Sequence, residues 1–207
     1  MPMHQGDFRG KYMVFSRICW VLALLLCAVP ALAAPPLNFD EFDDGTVLTT
    51  GYSGMEFSNT IILSSGLSLN EFEFPPRSGG NVASDDSGPI VITFLSPVQS
   101  FSAYFTYLEP LQVTAFNAAS VQVAQANSLF ANNLLESGEV GSSPNEFIGL
   151  AFASGIASVQ IAGASEGASF TMDDLSVSAV PEPGMLALLA CGALVVGGAA
   201  RRRRHTR

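Results

Sequence analysis

Along residues 34–179 apolar positions fall into short runs separated by turn-forming residues, the pattern of a chain built from strands. The runs are Leu37 to Phe42, Met55 to Leu63, Leu67 to Phe74, Ile90 to Leu95, Phe101 to Leu108, Leu111 to Phe116, Val121 to Ala124, Glu146 to Phe152, Ile156 to Ile161 and Ser169 to Val177. Between them stand Asp43-Asp44-Gly45, Ser78-Gly79-Gly80-Asn81, Asp86-Ser87-Gly88-Pro89 and Ser142-Ser143-Pro144-Asn145, all turn chemistry. Phe101, Ala103, Phe105 and Tyr107 alternate with period two, which predicts a half-buried antiparallel strand. No helical period of comparable length competes. Asn127 to Glu139 suits either a helical turn or an edge hairpin. The fold class predicted is therefore all-β, a single antiparallel two-sheet β-sandwich of jelly-roll type.

One strand changes phase within itself. Phe170 and Met172 share a face, but Leu175 and Val177 continue the apolar set with parity shifted by one. A β-bulge at Asp173-Asp174 reconciles the two halves and re-aims a carboxylate.

The two ends read differently. Arg9, Lys11 and Arg17 precede an apolar run from Ile18 to Val29, and Ala31-Leu32-Ala33 offers the small residues of a cleavage site. This predicts a signal peptide over 1–33, with Met13 as an alternative start that gives a shorter charged region. At the other end Pro181-Glu182-Pro183 leads into a hydrophobic helix over 184–200, then a basic cluster over 201–207 that begins Arg201-Arg202-Arg203-Arg204. The uncharged stretch Met185 to Ala200 reaches roughly 24 Å as a helix, at about 1.5 Å per residue, against a hydrocarbon core of about 30 Å. The arginines would hold that end in the cytoplasm, leaving the domain over 34–179 outside the inner membrane.

The tail over 180–207 resembles the PEP-CTERM sorting signal of exported bacterial proteins, in which a Pro-Glu-Pro motif, a short hydrophobic helix and a basic cluster follow in this order. The resemblance implies an exosortase as partner, a transient inner-membrane anchor, release near Pro181, Glu182 and Pro183, and a final place at the cell surface or in an exopolysaccharide or biofilm matrix. A plain C-terminal anchor is the other reading, with the same orientation. Signal peptidase is the partner implied at the other end.

Composition then removes most chemistry. Cys19, Cys27, Cys191, His4 and His205 all lie in the two terminal segments, and residues 34–179 contain no lysine. Ser/His/Asp and Cys/His arrangements, Ser-Lys dyads, Schiff bases and P-loops each need a residue type absent there. Over the same span sixteen Asp and Glu face a single base, Arg77, for a formal charge of −15 against −9 for the whole chain. Such a surface argues against nucleic acid and anionic lipid as partners and favours cations or neutral polymers.

Acids cluster at both ends of the domain. Asp40, Glu41, Asp43 and Asp44 near its start and Asp173 and Asp174 near its end meet if the first and last strands lie side by side. Together they form a candidate Ca²⁺ site, since hard cations take six to eight oxygen ligands. A solvated turn and a surface bulge explain the same residues without metal. Asp85-Asp86 reads as a loop, Glu71 and Glu73 as an exposed strand face, and Glu136 and Glu139 as solvated. Tyr52, Tyr104 and Tyr107 suit either sugar stacking or core packing. Arg77 suits an ion pair with a neighbouring acid or a contact to a ligand carboxylate.

A second resemblance rests on Phe39-Asp40-Glu41-Phe42, Gly45-Thr46-Val47, Tyr52, Gly54, Phe57-Ser58-Asn59, Pro76-Arg77-Ser78-Gly79-Gly80-Asn81 and Phe170-Thr171-Met172-Asp173-Asp174-Leu175. These look like the opening, middle and closing segments of jelly-roll domains in PEP-CTERM and other exported bacterial proteins. What this implies is a glycan-binding, adhesive or structural domain, with Ca²⁺ between first and last strands in some relatives. A non-catalytic role is thus expected, with exopolysaccharide or other glycans as partners. The alternative is a carboxylate-only glycoside hydrolase or lyase, which needs two acids facing each other at roughly 5 to 9.5 Å.

Overall fold

The computed structural model describes residues 35–179 and 192–193. The expectations for the signal peptide over 1–33, for Pro181, Glu182 and Pro183, for the hydrophobic helix over 184–200 apart from 192–193, and for the basic cluster over 201–207 lie outside the described residues. Among the described residues no helix is long and apolar enough to cross a membrane.

Residues 35–179 are all-β, and every pairing between strands is antiparallel. The strands are β1 (Met55–Ser58), β2 (Thr60–Ser64), β3 (Asn81–Asp86), β4 (Ile90–Tyr107), β5 (Gln112–Phe116), β6 (Gln122–Asn127), β7 (Glu146–Ala162) and β8 (Gly167–Ala179). Hydrogen bonding runs in the order β2-β3-β8-β4-β7-β5-β6, with β1 beside β4.

Four of the predicted runs fuse into two long strands. Ile90 to Leu95 and Phe101 to Leu108 belong to β4, and Glu146 to Phe152 and Ile156 to Ile161 to β7. Their ladder slips around Val98, where Pro97 lacks an N–H to donate and Gly155 opposite adopts φ 103°. As a result β4 changes neighbours along its length. Residues 91–94 pair with β1 and 90–93 with the end of β7, whereas 100–107 lie between β8 and the start of β7. The hydrogen-bonded path is one continuous ladder because these two strands carry it through.

Both halves bury one face into a common core. Ile90, Ile92 and Phe94 from the first half of β4 and Phe101, Ala103, Phe105 and Tyr107 from the second join one cluster with Val113, Ile148, Ile161, Phe170, Met172 and Leu175. The alternating quartet of β4 is fully buried, as its spacing predicts. Each large apolar side chain taken out of water contributes about 1.5 to 3 kcal/mol.

Four expectations are corrected. Leu67 to Phe74 forms successive turns, with Leu67 and Leu69 N–H donating to Ser64 and Glu73 and Phe74 N–H to Asn70. Its Glu-Phe alternation imitates a strand, but Gly66 at φ 75° turns the chain away. Met55 to Leu63 divides at Asn59, φ 53°, into β1 and β2 with different partners. Strand β3 occupies a stretch outside the predicted runs, between turns read at Asn81 and Asp86, because its polar side chains are satisfied by backbone. Asn81 Nδ2 donates to Phe39 and Phe42 carbonyls and Ser84 Oγ to that of Phe170. Asn127 to Glu139 is neither helix nor hairpin beyond the end of β6. Buried Asn133 ties it down, donating to Phe105 and Ser143 carbonyls and accepting the Tyr107 N–H at 2.7 Å.

Candidate functional site

The first and last segments of the domain do lie together. Leu37 and Leu175 exchange backbone hydrogen bonds of 2.8 and 2.9 Å. The predicted bulge is present as well. Ser102 pairs with Ser176 and Tyr104 with Asp173, so β8 carries an extra residue there, and Asp174 adopts φ 49°.

The six acids do not converge. Among the described residues no group of three or more acid, His or Cys side chains is placed to share a cation. Three of them, Asp40, Asp173 and Asp174, instead clamp the loop before β3 from two sides. Asp173 Oδ2 accepts the N–H groups of Arg77 and Ser78 at 2.8 and 2.9 Å, and its Oδ1 accepts that of Asp174 at 2.7 Å. Asp174 accepts the Ser78 hydroxyl at 2.7 Å. From the other side Asp40 Oδ1 accepts the N–H groups of Gly80 and Asn81 at 2.9 and 3.0 Å. Asp40 sits where a Cβ at residue 79 would be, and the φ of 57° there also favours glycine, which accounts for Gly79. Asp44 is used elsewhere, accepting the Ser64 N–H at 2.8 Å and the Ser68 hydroxyl. Asp43 lends its carbonyl to a turn with Thr46, and Glu41 lies beside the Tyr52 phenol.

Asp173 is buried, and desolvation pushes its carboxyl up to about 6 in spite of the N–H groups it accepts. The loop covers it, so its proton is not within reach of a substrate. Asp85, expected in a loop, is the second buried carboxylate. It sits in β3 and accepts the Ser169 N–H and hydroxyl and the Phe170 N–H at 2.7 to 3.0 Å. This fills a gap in the β3–β8 ladder, where Ser84 pairs with Thr171 but Asp86 with Gly167.

The clamped loop presents Arg77 to the outer face of the sheet. Its guanidinium carbon lies 4.5 Å from the centre of the Tyr104 ring. Tyr104 stands opposite Phe147 of β7, ring centres 5.4 Å apart and edge to face. Phe147 is 59 % exposed, so this residue is offered to solvent rather than spent on core packing. A Cβ at Gly149 would come 3.4 Å from that ring, so Phe147 leans along bare backbone. Continuing along the same face, Ser102 lies between Gly149 and Ser176, and Ser100 between Ala151 and Ser178. The surface is thus two aromatic rings and a guanidinium at one end of a shallow floor of small residues and hydroxyls.

Of the three tyrosines singled out, Tyr104 alone lies on this face. Tyr107 is buried, with its phenol donating to Glu146, and burial followed by that acid raises its pKa above the ordinary phenol range. Tyr52 packs edge to face on Phe42 and accepts the Phe39 N–H, and burial and then Glu41 raise it similarly. Phe147 escaped the sequence reading. Its exposed parity in the run Glu146 to Phe152, between buried Ile148 and the Pro144-Asn145 turn, is the signal that could have found it.

No protein-family model matches the chain, and no curated protein matches it. Solved structures show distant similarity. A DUF4465 family protein from Bacteroides caccae aligns with TM-score 0.40 and 11 % identity, over 72 % of this chain and 96 % of that one. The arabinose-bound α-L-arabinofuranosidase MgGH51 aligns with TM-score 0.39 and 14 % identity, over 70 % of this chain but 26 % of its own length. A family 11 carbohydrate-binding module from Clostridium thermocellum, in complex with a β-1,3-1,4-mixed-linked tetrasaccharide, aligns with TM-score 0.32 and 11 % identity, over 73 % and 99 %. Similarity this low carries no inference about ligand or activity.

Proposed function

We propose that this chain is an exported, non-catalytic β-sandwich that holds neutral glycan on the outer face of β4, β7 and β8, as a structural or adhesive component of a surface or extracellular matrix. In this reading the two halves of β4 and β7 belong to two stacked layers of jelly-roll type, with the shared core between them. The pair of exposed Phe147 and half-buried Tyr104 beside Arg77 is the observation that carries it. An aromatic face suits the C–H groups of a pyranose, and the serine hydroxyls and the guanidinium suit its oxygens. The formal charge of −15 over residues 34–179 favours a neutral polymer over an anionic one.

The non-catalytic reading is supported by the two buried carboxylates, each occupied by backbone N–H donors. Sorting by an exosortase remains part of the proposal and rests on Pro181, Glu182, Pro183 and the segments that follow them. Replacing those three residues by alanine should leave the protein in the inner membrane. Normal release would point to a plain anchor or another protease.

The direct test is a polysaccharide panel probed with the full chain and with Phe147→Ala. A binding anchor at the centre of a contact costs about 2 kcal/mol when truncated, so affinity should fall about tenfold or more. Equal binding by both proteins would remove this face from the proposal.

A further inference from the structure

The sheet ends in β6, and among the described residues that end is left open. The edge of β2 at the far end of the path is met by the segment before β1. There Gly45 and Leu48 N–H donate to Ile62 and Thr60 carbonyls at 2.8 Å, and Ile62 N–H returns to Thr46 at 2.9 Å. The edge of β1 is met by Thr49, which accepts the Phe57 N–H at 2.8 Å. Strand β6 pairs with β5 alone among the described residues. An unpaired edge is a template for another strand, and natural edges are usually blunted by charge, lysine or proline.

None of these devices stands on β6. From Pro110 to Leu135 no residue carries charge, in a domain otherwise crowded with carboxylates. The bulge opposite Phe116 lies at the start of the strand, leaving Ala124 to Asn127 in regular register with β5. Val123, Ala124 and Ala126 pack against the core. Gln122, Gln125 and Asn127 are exposed and form a row: Gln122 Nε2 donates to Gln125 Oε1 at 2.9 Å, and Gln125 Nε2 to Asn127 Oδ1 at 3.4 Å.

We propose that β6 pairs antiparallel with β6 of a second copy of this chain, extending the sheet through a twofold axis. Each side-chain amide carries both a donor and an acceptor, so a row of amides is complementary to itself, as in ladders of stacked strands. Charge selects the same occupant. Two copies of residues 34–179, at −15 each, repel through acid-bearing surfaces, and along β6 no acid meets another, whereas a basic partner would find nothing there to pair with. The contact is short, so it is weak and strengthens with local concentration, as along a polymer.

The test is cysteine cross-linking in the full chain, with Cys19, Cys27 and Cys191 replaced by serine. Gln125→Cys places a thiol on β6, and Leu67→Cys, 75 % exposed in the loop after β2, is the control. Facing residues of an antiparallel pair stand about 4.5 to 5.5 Å apart at Cα, within the span of a disulfide. Under mild oxidation the β6 thiol should give a covalent dimer in several-fold higher yield than the control. Adding Gln122→Glu and Asn127→Glu should suppress that yield several-fold, and surface changes of this kind leave folding intact. Equal yields at the two positions, or a dimer undiminished by the added acids, would overturn the proposal.

Discussion

Strand β8 is interrupted twice, and an aspartate answers each interruption. Near its start two extra residues loosen the ladder with β3, and Asp85 accepts the N–H groups left over at Ser169 and Phe170. Near its middle the bulge at Asp173-Asp174 turns a carboxylate toward the loop before β3, where it accepts the N–H groups of Arg77 and Ser78. The chemistry is the same, a carboxylate standing in for a missing backbone acceptor. At Asp85 donors and acceptor all belong to paired strands, and the result is rigid core. At Asp173 the donors belong to a loop, and the result mounts Arg77 above Tyr104.

Removing the first carboxylate should therefore hurt most. Asp85→Ala leaves two N–H groups and a hydroxyl buried without acceptors, at about 1 to 3 kcal/mol each before relaxation. A loss of about 3 to 5 kcal/mol in urea unfolding is expected, with Asp86→Ala, one residue along and less buried, as the near-neutral comparison. A loss below about 1 kcal/mol for Asp85→Ala would mean that water replaces the carboxylate and that the two interruptions are not equivalent devices.

The difference between these sites also marks what can be read from sequence. The bulge at Asp173-Asp174 is legible because the apolar parity of one strand changes within it. The buried face of β4 is legible for the same reason, being a local period. Asp85 is not, because its partners Ser169 and Phe170 stand more than eighty residues away and nothing local distinguishes it from Asp86. Strand β3 disappears with it, since a strand whose polar side chains are satisfied at long range has the composition of a turn. Leu67 to Phe74 errs in the opposite sense: its alternation is real, but no neighbouring strand edge is free to receive it. The clustering of acids was legible, and their use was not, because carboxylates that bind N–H groups and carboxylates that bind cations have the same local sequence.

The next largest effect is the pH dependence that Asp173 brings. The Asp173 carboxyl titrates near 6 when folded and near the ordinary value of about 3.9 when unfolded. Between these values the folded state holds the extra proton, so stability from this group rises as pH falls from about 7 to about 4 and is lost as pH climbs through 6. Two units correspond to about 3 kcal/mol. Unfolding of the native chain and of Asp173→Asn, measured across this window, should give curves that differ by this slope. Parallel curves would show that the loop donors, not burial, set the state of Asp173.

The smallest effect concerns calcium, and it bears on Asp173 more than on Asp85. A cation at the end of the sheet would need oxygens from Asp40, Asp173 and Asp174. These already accept the N–H groups of Gly80, Asn81, Arg77, Ser78 and Asp174 and the Ser78 hydroxyl. Taking them for a metal would release the loop that holds Arg77, so binding would have to replace that clamp as well as desolvate the ion. Chelator treatment followed by Ca²⁺ at millimolar concentration is thus expected to leave the melting temperature unchanged within about 1 °C. A ligand at a hundredfold its dissociation constant adds about 2.7 kcal/mol, so real binding would appear as a rise of several degrees. Such a rise, lost in Asp173→Asn but kept in Asp85→Asn, would make the loop clamp the unloaded form of a metal site and would end the likeness between the two carboxylates.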